Sequence, residues 1–180
     1  MDFHTTAKYP APLDEVLKML TSEEFQRVRL ADLPVTVKSV VIREVPSNEP
    51  ASNGANGPAS DANPKKVAIT TQVHAKPADL NLPSMADKFV PRAGVTVAMT
   101  ETWNIETAES FLTVDTGSLP VNVAATSKLV EEGGAVTRKV EGSVAVSVPL
   151  FGKKLEQSAV EEFGEIIRAE EAAARKYLAN

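Results

Sequence analysis

The chain contains no cysteine, and His4 and His74 are its only histidines. Without thiols there is no disulfide, no thiolate nucleophile, no iron–sulfur cluster and no zinc site that needs sulfur, and such a composition fits a reducing compartment. Two histidines cannot make a histidine-rich metal site; no metal or other cofactor is expected. Aromatic residues are scarce as well, at 5% of the chain. A core must then be filled by Val, Ala, Leu, Ile and Thr, which either pack closely or leave space. Long hydrophobic runs are also missing. No uncharged apolar stretch approaches the ~18 residues of a membrane span. The opening Met-Asp-Phe-His-Thr-Thr-Ala-Lys lacks the basic and apolar regions of a secretory signal, which points to a cytoplasmic protein. Nor is there an excess of basic charge: 19 Lys and Arg stand against 24 Asp and Glu, a net charge of −5. Their scatter along the chain argues against a nucleic-acid-binding face or a polybasic membrane patch.

What remains, 180 residues with 43% hydrophobic and 24% charged content, is the composition of one ordinary domain over residues 1–180. Phe3 to Tyr9 alternates as a strand does, and Pro10-Ala-Pro12 ends it. Leu13, Val16, Leu17 and Leu20 then recur at helical spacing behind Pro12, with Asp14 and Glu15 at the positive end of the helix. Thr21-Ser-Glu-Glu24 has the form of a capping box and predicts a second short helix carrying Phe25, Val28 and Arg29. Val35–Val45 alternates as a half-buried strand. Residues 46–64, rich in Pro, Ser, Asn, Gly and Ala, read as a loop insertion.

Strands are expected again at Lys66–His74, Gly94–Trp103, Ser110–Thr116, Val121–Glu131 and Ala135–Val148, with short turns that make an antiparallel meander. Residues 76–91 interrupt it with a lid-like segment, in which Ser84 and Asp87 are placed to cap a short helix bearing Met85, Phe89 and Val90. Pro149 is placed to open a long last helix, residues 149–178, with an apolar stripe of Leu155, Ala159, Phe163, Ile166, Ile167, Ala173 and Tyr177. At ~1.5 Å per residue it would extend roughly 40 Å. That spans a chain whose radius of gyration is only ~16 Å, so the sheet must wrap around it.

One strand, two short helices, six antiparallel strands and a long C-terminal helix resemble the α+β helix-grip fold. It is shared by START lipid-transfer domains, birch-pollen-allergen-like proteins and polyketide cyclases (the SRPBCC superfamily). The passage from Tyr9 through Pro10-Ala-Pro-Leu-Asp-Glu to Phe25 is similar to that fold's entry from first strand to helix. Four pieces resemble, more narrowly, the actinobacterial domain-of-unknown-function family 2505. They are His4-Thr-Thr-Ala-Lys-Tyr-Pro10, Thr100-Glu-Thr-Trp103, Pro120-Val-Asn-Val123 and Pro149-Leu-Phe-Gly-Lys-Lys-Leu-Glu156. The resemblance implies a seven-stranded antiparallel sheet curved around the long helix, enclosing a space for a small hydrophobic molecule. None of these pieces is a catalytic signature.

In that fold the odd-numbered residues of several strands face inward, among them Val97 and Met99, with Phe163 and Ile167 opposite them on the helix and Met85 and Phe89 above as a lid. Charged residues in the same phase bear more directly on function. In strict register Arg43, Glu101 and Arg138, with Trp103, point into the interior, where an unpaired charge is costly, so they must pair or bind a ligand. A β-bulge or a strand end would instead carry them out to solvent, the commoner arrangement.

No nucleophile elbow or phosphate-binding loop is present, and both histidines fall in the polar phase of their strands. Lys153 and Lys154 read as a solvated helix face beside Glu156. Three functions therefore compete. The first is non-catalytic binding of a lipid or polyketide-like molecule, the second a cyclase- or hydratase-type enzyme using Glu101, and the third a protein-interaction module with a packed interior.

Overall fold

The computed structural model describes residues 1–45, 65–79 and 89–179. The insertion at 46–64 and most of the lid-like segment, including Met85, lie outside the described residues.

Strand β1 (Asp2–Tyr9) buries Phe3, Ala7 and Tyr9 and turns His4, Thr6 and Lys8 outward. Helix α1 (Leu13–Leu20) starts behind an extended Pro12 and buries Val16, Leu17, Met19 and Leu20. Helix α2 (Glu23–Val28) begins one residue later than the capping pattern suggests, with Ser22 at its N-cap. The Phe25 N–H donates to Ser22 Oγ over 3.2 Å, a contact worth about 1 kcal/mol. Then follow β2 (Thr36–Val45), β3 (Lys66–Ala75), β4 (Val95–Asn104), β5 (Glu109–Asp115), β6 (Val121–Glu132) and β7 (Ala135–Val146), and finally α3 (Gly152–Leu178). The expected meander is present. The strands form one seven-stranded sheet in the order β1-β7-β6-β5-β4-β3-β2, every neighbouring pair antiparallel. Gly133 and Gly134, at φ +63° and +78°, make the β6–β7 hairpin that the Glu-Gly-Gly signal predicts.

Cross-strand register fixes what faces the helix. One inner row runs Ile42, Ile69, Glu101, Leu112, Ala125, Gly142, Phe3. The next runs Val67, Trp103, Ser110, Ser127, Val140, Thr5. Gly142 keeps the first row flat. A Cβ there would come 2.6 Å from both the Ala124 carbonyl oxygen and the tip of the Phe3 ring. Gly142→Ala is therefore expected to cost about 2 kcal/mol by overpacking, read as a lowered urea midpoint with an unchanged m-value. A change under about 0.5 kcal/mol would show that the Phe3 ring moves aside freely.

Helix α3 lies chiefly over β1 and β7. Its Phe163 ring meets Phe3 at 4.6 Å between centroids, and Tyr177 meets Phe25 edge-on at 5.5 Å. The helix does not open at Pro149. Leu150 adopts a left-handed backbone at φ +66°, so helical geometry starts only at Gly152, whose N–H donates to the Val148 carbonyl over 2.9 Å.

Candidate functional site

Arg138 on β7 is 3% exposed, and the structure explains how a guanidinium tolerates that burial. Its Nη2 donates to Glu101 Oε1 of β4 over 2.6 Å and its Nη1 to Glu170 Oε1 of α3 over 2.7 Å. Its Nε and Nη2 both reach Ser127 Oγ, at 3.1 and 3.0 Å. The guanidinium also sits 5.4 Å from the centre of the Trp103 ring, a cation–π contact inside the core.

Each carboxylate is shared further. Ser110 Oγ donates to Glu101 Oε1 over 2.6 Å, the Tyr9 hydroxyl donates to Glu170 Oε1 over 2.5 Å, and Arg29, just after α2, donates to Glu170 Oε2 over 2.6 Å. The formal charges cancel: Arg29 and Arg138 against Glu101 and Glu170. Burial alone would push the Glu170 carboxyl up, but the facing Arg138 and Arg29 prevail and hold it down at about 2. Burial and the adjacent Glu170 carboxylate raise the Tyr9 phenol well above its ordinary value. Burial opposes the charge of Arg138, yet Glu101 and Glu170 drive its pKa upward and keep it protonated.

This cluster ties β1, β4, β5, β6, β7, α2 and α3 to one point. Glu101, 5% exposed, accepts from both Ser110 and Arg138 at its Oε1. A handful of buried polar atoms lack partners among the described residues, namely Gln26 Oε1, Arg29 Nε, Thr71 Oγ1 and Trp103 Nε1.

Strand register thus brings Glu101, Trp103 and Arg138 together, and α3 lays the buried Ile167 on the same core. Arg43 is not with them. Register slips between Val37 and Ser39, a β-bulge that puts Arg43 in the outer phase, where it is exposed. Glu101 and Arg138, on strands without such a slip, keep the inward phase. Val97 and Met99 sit half-buried in the inward phase, opposite Val73 and Thr71. Phe163 is half-buried against the core, while Phe89 is 40% exposed.

His74 lies on the outer face as expected, its ring nitrogens against Ala93 O and Thr96 Oγ1, and His4 is exposed. Among the described residues no group of three or more His, Asp or Glu is arranged to hold a metal. Tyr9, Arg29, Ser110, Ser127 and Glu170 are not among the residues that strand alternation singles out. For Glu170 the signal was available, since it interrupts the apolar stripe of α3 between Ile167 and Ala173.

A curved seven-stranded antiparallel sheet with two short helices behind its first strand and a long C-terminal helix across it defines the START/SRPBCC helix-grip fold. The chain belongs to the family described as protein of unknown function DUF2505, whose pattern matches residues 4–178. Among solved structures it is similar to TTHA0849 from Thermus thermophilus, at 15% identity, with 97% of each chain covered and a TM-score of 0.59. It is similar also to the ZhuI aromatase/cyclase from Streptomyces sp. R1128, at 9% identity, covering 97% of this chain and 90% of that one, TM-score 0.55. A START superfamily protein from Mycobacterium smegmatis matches at 12% identity, with 96% of each chain covered and a TM-score of 0.52. No curated protein matches by sequence. Among the described residues no helix is long and apolar enough to cross a membrane.

Proposed function

We propose that the chain acts as one START-like domain that holds a small hydrophobic molecule, lipid or polyketide-like, without transforming it. The observation that carries this reading is a patch of apolar side chains on the inner face that stay half-buried. At the end where the ionic cluster lies, Tyr9, Trp103, Val136, Val140 and Ala174 are sealed to 1% exposure or less. Toward the other end Val73, Thr71 and Val144 are buried too, but Val97, Met99, Val114, Val121 and Val123 share the inward phase and stay half-buried, as do Phe163 and Ile166 of α3. Apolar side chains that face the helix without being closed over are what a pocket for an apolar ligand requires. The burial of Glu101, with Ser110 and Arg138 both on its Oε1, supports a carrier over an enzyme working through it. The cysteine-free composition fits a cytoplasmic setting.

Native mass spectrometry of protein purified from its own host is expected to show added mass that solvent extraction releases. Met99→Trp with Val123→Phe, filling the half-buried end, is expected to weaken binding of a fluorescent fatty-acid probe on the order of tenfold while leaving the unfolding midpoint in place. If the purified protein carries nothing and a panel of fatty-acid and polyaromatic probes binds neither form, the carrier reading falls and the interior is simply core.

A further inference from the structure

We infer that the connection between β7 and α3, residues 147–151, is a membrane-docking edge whose partner is an anionic lipid surface. Two apolar side chains there are held in water against their chemistry. Leu150 is 97% exposed and Phe151 41% exposed. Leu150 also adopts φ +66°, a left-handed backbone that disfavours any residue bearing a branched, bulky side chain. The projection is braced at both sides. The Ser147 N–H donates to the Pro120 carbonyl over 2.9 Å and the Gly152 N–H to the Val148 carbonyl over 2.9 Å. Gly152 itself fits against the Val146 carbonyl, where a Cβ would come within 2.6 Å. A tight, tied connection that spends backbone strain to present Leu-Phe outward has the form of an insertion wedge.

Charge identifies the surface it fits. Lys153 and Lys154 follow directly in the first turn of α3 and are exposed. The antiparallel order places the end of β3 and the start of β4 at the same end of the sheet, which adds exposed Lys76 and Arg92, with Phe89 three residues before Arg92. Glu156, the nearest acid along the helix, lies within electrostatic reach of Lys153 and is engaged elsewhere as well. Its Oε1 accepts the Val146 N–H over 3.0 Å, and its Oε2 faces the amine of Met1 at 3.4 Å. Asp115 accepts the Gly117 N–H over 2.9 Å and keeps its charge. Exposed Lys76, Arg92, Lys153 and Lys154 thus share one end of the sheet with exposed Leu150 and Phe151, against the exposed acids Asp2 and Asp115. Apolar wedge plus basic rim is the combination that gives reversible binding at an anionic headgroup layer, where one signal alone would be marginal. The same end carries the half-buried inner face, but the docking holds whether or not that face is occupied.

Co-sedimentation of the whole chain with vesicles tests it. The protein is expected to pellet with phosphatidylglycerol-rich vesicles, to stay in solution with phosphatidylcholine alone, and to release as salt is raised. Leu150→Ser with Phe151→Ser should lower the partition on the order of tenfold. Lys153→Gln with Lys154→Gln should lower it about fivefold per lysine, on anionic vesicles only. Thermal unfolding should be unchanged in the lysine variant and in Leu150→Ser alone, whose side chain is 97% exposed and whose partition should fall as well. The inference is overturned if the wild type ignores anionic vesicles at low salt, or if the serine variant binds as well as the wild type. It is overturned also if sedimentation equilibrium shows self-association that the serine variant loses, which would make the edge a contact between copies.

Discussion

Arg138→Met is expected to cost about 4 kcal/mol of folding stability, the largest loss of any single polar substitution in the interior. The arginine fills the space between two carboxylates, Glu101 at 2.6 Å and Glu170 at 2.7 Å. Methionine fills most of the volume and neutralises neither. Breaking a buried pair from one side leaves an uncompensated charge in the core, at a penalty of roughly 3–5 kcal/mol. Glu170 would still hold Arg29 and Tyr9, so the burden falls chiefly on Glu101, whose remaining partner is Ser110. The informative comparison is Arg138→Met combined with Glu101→Leu. Removing both charges should recover about half or more of the loss, because apolar replacement of a whole buried pair is often close to neutral. Urea denaturation of the three proteins reads this directly. A single variant within about 1 kcal/mol of wild type would mean that water enters the cluster and the charges were never desolvated.

The cluster also shows where sequence legibility ends. Glu101 and Arg138 announce themselves because β4 and β7 alternate without a slip, so a charge in the apolar phase must be an inward charge. Arg43 follows the same rule on β2 and fails it, since one extra residue near Lys38 reverses the phase and nothing in the local text marks that bulge. Glu170 obeys the corresponding helical rule, three residues after Ile167 and three before Ala173, and reading α3 for misplaced charge as strictly as the strands would have found it. Tyr9 sits in the buried phase of β1, yet a tyrosine there looks like ordinary core until its hydroxyl is seen to meet Glu170. Arg29 has no periodic context at all. It lies past the end of α2, and only the three-dimensional path of the chain brings it to α3. At the far end, Pro149 carries a helix-start signal that Leu150 overrides, because a left-handed residue cannot continue a right-handed turn.

Acid should expose the cluster's energetics more cleanly than mutation does. The Glu170 carboxyl is held at about 2 in the folded chain, against an ordinary 4.5. A depressed folded-state pKa means that the native state favours the carboxylate more than the unfolded chain does. The stability it contributes is therefore complete above pH 4.5 and is lost as pH falls toward 2. At about 1.4 kcal/mol per pH unit the loss amounts to about 3 kcal/mol. Glu170→Gln cannot titrate, so its unfolding free energy should lie well below the wild type's near neutrality, and the two curves should converge as pH approaches 2. The alkaline side has the opposite sign. Tyr9, whose phenol is raised by burial and by Glu170, contributes stability that is intact below pH 10 and lost as pH rises through its folded value. Urea unfolding across the acid range decides the matter. If wild type and Glu170→Gln lose stability in parallel from pH 6 to 2, the acid sensitivity belongs to surface carboxylates and the arginine clamp on Glu170 is not what holds α3 to the sheet.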